Sequence, residues 1–132
     1  MIDDDLSTWL RAQLDEDERV ALAAAGCYGG DAVWRRGTLV DPDYGADEFL
    51  HIHDRTLAAG LPGDDEDPLR VAELDHMARH DPARVLADVD AKRRILGVID
   101  RMYAEPGAGD SLVRLLALHY AGQPGYRDEW RP

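Results

Sequence analysis

The sequence predicts a small α+β domain: an N-terminal helix, a short β-hairpin, then three helices around one core. Three observations carry that expectation. Apolar residues recur at helical spacing near the start and throughout the second half. Between them, residues 31–54 are rich in β-branched and aromatic residues and contain a turn signal. The length, 132 residues, suits one domain spanning 1–132.

The first helix is predicted over residues 5–25. Leu6, Trp9, Leu10, Leu14, Ala21 and Ala24 fall near one stripe, and Asp15–Glu18 form a face expected to be solvated. Gly26 sits where a left-handed C-cap belongs. AVWRRGTLV and EFLHIHD read as two strands joined across DPDYG, where Pro42 presets φ. Residues 58–68, AAGLPGDDEDP, read as an acidic Gly/Pro loop. Pro68 then opens a helix to about Arg79, since proline costs nothing in a first helical turn. Asp81-Pro82 repeats the signal, an Asp cap followed by proline, and opens a long helix to about Tyr103. Asp88–Lys92 and Asp90–Arg94 are acid-before-base pairs four residues apart on it. EPGAGD breaks that helix. Asp110 or Ser111 caps a last one over 112–120. The segment 121–132 holds too many breakers for a helix and is expected to be an irregular tail, with Tyr126 and Trp130 docked on the body. Trp9, Leu10, Leu14, Val33, Trp34, Leu86, Val89, Leu96, Ile99, Leu115 and Leu116 are the expected core.

Charge narrows the function. Fifteen basic and 27 acidic residues give a formal charge of −12, which argues against direct nucleic-acid binding because phosphates need a basic face. An acidic DNA-mimic inhibitor is compatible with that charge. Cys27 is the lone cysteine, so no intrachain disulfide and no cysteine-based zinc finger can form. The acidic start MIDDDLSTWL lacks the pattern of a signal peptide, and no apolar run approaches a membrane span. A cytoplasmic protein is the expectation.

Chemistry concentrates in the histidines. His76 and His80 are four apart, which on a helix places them side by side, and two imidazoles so placed can share a Zn²⁺ or another divalent metal. Met77 stands where a zinc protease would have glutamate. His51 and His53 alternate on one predicted strand and are the candidate further ligands. A metal-binding protein or a metal-dependent hydrolase using His76, His80, His51 and His53 is therefore one reading. The other is structural: His80 ends one helix, Asp81 caps the next, and His76 is surface. No G-x-S-x-G elbow, P-loop or dinucleotide fingerprint is present. Lys92, Arg93 and Arg94 spread over nearly a full turn and are expected to pair with nearby acids.

Three segments carry a resemblance: WLRAQLDEDERVALAA at 9–24, HMARHDPARVLADVDAKRRIL at 76–96, and LVRLLALHYAGQPGYRDEWRP at 112–132. Together they resemble a family of small proteins of unknown function from actinobacteria and their phages. The resemblance implies no defined activity. It does imply, for members with cysteines between the last two helices, a metal site shared with the histidines. This chain has EPGAGDSLVRL there and no cysteine, and AGQP where ADHP is usual. The expectation is a non-enzymatic accessory protein, with no resident cofactor, acting on an unidentified protein partner or as a homo-oligomer.

Overall fold

A computed structural model describes residues 4–27, 30–43, 45–52, 55–59, 68–103, 105 and 107–132. Within these, the side chains of residues 39–41, 45–49, 51–52, 55–59 and 68–71 lie outside the description. The fold is α+β. Helix α1 spans Asp4–Gly26, strands β1 Trp34–Asp41, β2 Gly45–Ile52 and β3 Arg55–Ala59, helices α2 Pro68–Arg79, α3 Pro82–Met102 and α4 Asp110–Leu118. A single 3₁₀ turn, Asp128–Trp130, lies in the tail. The chain divides into two compact units, one of residues 1–18 with 87–132, the other of residues 19–86.

In the 19–86 unit, β1 and β2 form the expected hairpin, paired antiparallel from Trp34 with Ile52 to Asp41 with Gly45. The sheet has a third strand: β3 runs antiparallel to β2, with an irregularity between Leu50 and His51. Ala58 and Ala59, expected in the acidic loop, belong to this strand, whereas residues 60–67 lie outside the described residues. RTLAA has one β-branched residue, so its strand character comes from pairing with β2 rather than from its own composition. Helix α2 packs on β1 and β2. Leu50, Leu74, Ala21 and Ala25 are buried here. Gly26 ends α1 as a helical residue. The left-handed glycine is Gly30, whose N–H reaches Ala25 O at 3.0 Å.

In the other unit, Leu6, Leu10 and Leu14 of α1 and Val89, Leu96 and Ile99 of α3 are buried, together with Val113, Ala117, Tyr120 and Trp130. The two helices are tied antiparallel by ion pairs. Arg11 meets Asp100 at 2.9 Å, and Arg93 reaches both Asp15 at 2.7 Å and Glu18 at 2.8 Å. Asp17 accepts the Tyr120 hydroxyl at 2.6 Å. The Asp15–Glu18 face is thus a docking edge, not simply a solvated one. Lys92 pairs with Asp88 and Arg94 with Asp90 along α3, as the spacing predicts.

Helix α4 lacks the expected side-chain cap. Its N-cap is Gly109, left-handed at φ 84°, whose carbonyl accepts from Leu112 and Val113 N–H groups. A Cβ at Gly109 would stand 2.7 Å from Ile99 Cγ2. Glycine is therefore required twice, by its φ and by the close approach to α3. Leu115, expected in the core, is exposed, because it sits two residues from both Val113 and Ala117 and so on the far side of α4. Val33, just ahead of β1, is also exposed.

Candidate functional site

Two surfaces and one buried junction concentrate the polar and exposed apolar groups. The junction is the turn between α2 and α3. Asp81 is buried, at 7% exposure, the only charged or polar side chain so placed among the described residues. One carboxylate oxygen accepts the Arg84 backbone N–H at 2.8 Å, which is the N-cap bond the Asp-Pro pair predicts. The other accepts the Trp34 backbone N–H at 3.1 Å. A second link, Ala83 N–H to Ala32 O at 2.9 Å, runs parallel to it. Asp81 therefore fixes the start of α3 to the start of β1. No sequence signal marks the Trp34 contact, because its donor is a backbone N–H 47 residues away.

His76, in the last turn of α2, and His80, the first residue of this turn, are both exposed. Their rings lie 4.4 Å apart between centroids, with planes inclined at 32°. Desolvation at the helix end, followed by the charges of His76, Arg84 and Arg79, holds the His80 pKa below its ordinary value, although the ring remains on the surface. The Arg84 guanidinium turns back to Arg79 O at 3.4 Å. Asp75 beside the pair is engaged by Arg36 of β1 at 2.5 Å. His51 lies in β2, its backbone paired with Arg35 and Thr56, but its side chain is outside the description. His53 falls outside the described residues altogether. Among the described residues no three His, Cys, Asp or Glu side chains converge on a metal position. His76 and His80 are thus brought together, and the further ligands expected from the strand are not placed.

The second surface belongs to α3 and α4. Ile95, Val98 and Met102 fall at i, i+3 and i+7 on the exposed side of α3, with Met102 at 70% exposure. Leu112, Leu115 and Leu118 follow at i, i+3 and i+6 on α4, with Leu115 at 55%. The two helices are neighbours: Gly109 at the start of α4 abuts Ile99 and Tyr103, and Lys92 lies 5.0 Å over the ring of Tyr120 at its end. Leu115 was expected in the core, and the exposure of the others carries no sequence signal, because apolar residues fall on several faces of α3 and α4 and periodicity alone does not say which face is left uncovered.

The tail is spoken for. Trp130 is buried against Trp9 at 5.4 Å between rings, Tyr126 stands edge-on to Trp9 at 5.6 Å, and the Trp9 indole donates to Pro124 O at 3.2 Å. Arg127 lies 4.9 Å over the Trp130 ring. The expected docking of Tyr126 and Trp130 is what the structure has.

Fold and surfaces define a small α+β protein with a buried structural carboxylate, an exposed imidazole pair and an uncovered apolar helix face. The chain belongs to DUF6221, a family of unknown function, whose model matches residues 3–132. No curated protein and no solved structure matches the chain. Among the described residues, no helix is long and apolar enough to cross a membrane.

Proposed function

We propose that this chain is a non-enzymatic accessory protein that works by binding another protein through the exposed apolar residues of α3 and α4. The observation that carries the reading is the exposure of Ile95, Val98 and Met102 on α3 and of Leu112, Leu115 and Leu118 on α4. Apolar side chains repeated along one face of two neighbouring helices are costly to leave in water and are how a helix pair presents a groove to a partner. A different protein is favoured over a second copy, because two chains each at −12 repel.

The test is photo-crosslinking in the host with a benzophenone amino acid at Leu115, compared with the same group at Ala12, an exposed position on α1. A defined adduct from Leu115 alone, lost in the Val98→Asp/Leu112→Asp background, is expected. Light scattering on the purified chain should give a monomer. Equal adducts from both positions would defeat the reading, and a crosslinked homodimer would assign the face to self-association.

A further inference from the structure

We propose that His76 and His80 form a two-imidazole chelate for a first-row divalent transition metal such as Zn²⁺, Ni²⁺ or Cu²⁺. The proposal is independent of the α3–α4 reading. Its basis is geometric. Both rings are exposed, His76 in the last turn of α2 and His80 just past its end, with centroids 4.4 Å apart. A metal bound at about 2.0–2.1 Å by two imidazoles holds its nitrogens roughly 3 Å apart. Rings already side by side reach that spacing by small side-chain rotations, without moving the helix. The chelate therefore costs little reorganisation.

The neighbours set what kind of cation fits. Asp75 is held by Arg36 at 2.5 Å, and both Asp81 oxygens are filled by backbone N–H groups. No third donor joins the pair among the described residues. A hard cation that needs several oxygen ligands is poorly served here, because both carboxylates are already engaged and no cluster of donors is present among the described residues. An imidazole-preferring metal needs only the two nitrogens and can keep water at its other positions. Arg79 and Arg84 lie on the same turn and oppose a cation, so selectivity falls to metals whose bond to nitrogen is strong, with Cu²⁺ and Ni²⁺ ahead of Mn²⁺. The open coordination positions make this a docking point for a further donor group, not a closed structural zinc site.

The experiment is calorimetric titration of the untagged full chain with Ni²⁺ in a non-coordinating buffer. Variants are His76→Ala, His80→Ala, His119→Ala and the His51→Ala/His53→Ala pair. One equivalent of Ni²⁺ should bind the parent. Each of His76→Ala and His80→Ala should weaken binding at least about tenfold, while His119→Ala and the strand pair leave it unchanged. Mg²⁺ should not bind. Paramagnetic broadening by Ni²⁺ or Cu²⁺ in the unsubstituted chain should centre on the amides of residues 76–80, which keeps the test independent of whether a variant folds. Undiminished binding by His76→Ala or by His80→Ala, or binding that disappears with the strand pair, would overturn the proposal.

Discussion

The start of α3 and the seat of the C-terminal tail solve the same problem with different forces. At the start of α3, in the 19–86 unit, one buried carboxylate organises backbone donors: Asp81 takes the N–H groups of Arg84 and Trp34. At the tail, in the other unit, a ring cluster of Trp9, Tyr126 and Trp130 closes on itself with one indole bond to Pro124. The carboxylate is strong because each bond is charge-assisted and shielded from water. The aromatic seat is strong through buried area and shape, and it tolerates imperfect polar pairing: the Trp130 indole N–H and the Tyr126 hydroxyl have no hydrogen-bond partner among the described residues. A short chain can therefore anchor one turn by electrostatics and another by packing, and the two should fail in different ways.

The largest loss should come from the packed side. Trp130→Ala removes a side chain that is 1% exposed and leaves a cavity facing Trp9, an expected cost of about 3–5 kcal/mol in urea unfolding. Trp130→Phe should recover most of it, because this seat is shape more than hydrogen bonding. Asp81→Ala comes next, at about 2–4 kcal/mol, since two backbone donors are left buried and unanswered. Asp81→Asn should cost less, because a neutral carbonyl still caps α3. If Asn and Ala were equally damaging, charge would be the whole of the effect and capping geometry would count for nothing.

Smaller effects should appear in pH dependence. Burial, and then the hydrogen bond to Asp17, raise the Tyr120 pKa above its ordinary value of 10.0. A raised folded-state pKa means stability that is complete below about pH 10 and is lost as pH climbs through the folded value. Tyr120→Phe should flatten that alkaline limb. The Arg93 hydrogen bond lowers the Glu18 pKa from 4.5, so its contribution is present above that value and fades as pH falls below it. Arg93→Ala should shrink this acid limb, by an amount limited by the exposure of the pair.

Much of this was legible in the chain. Asp-Pro at 81–82 named both the end of α2 and the cap of α3, and the aromatic ending named the docked tail. Spacing also marked the i, i+4 ion pairs of α3. What stayed hidden depends on partners distant in sequence. RTLAA becomes a strand only because β2 offers it an edge. Asp17 looks solvated until Tyr120, 103 residues on, donates to it. Helix α4 looks capped by Asp110 or Ser111, yet its N-cap is Gly109, where the approach to Ile99 leaves no room for a Cβ. The His76–His80 pair was readable from its spacing, whereas the freedom of its two rings depends on Asp75 and Asp81 being occupied elsewhere.

The central claim is that the α2–α3 junction divides its labour: Asp81 holds the fold, and His76 and His80 are left free for a ligand. Metal-free urea unfolding of the His76→Ala/His80→Ala double variant, beside Asp81→Ala, tests it most directly. The double variant should match the parent within about 0.5 kcal/mol, while Asp81→Ala falls well below both. A double variant as unstable as Asp81→Ala would contradict the claim and make the histidines part of the junction itself.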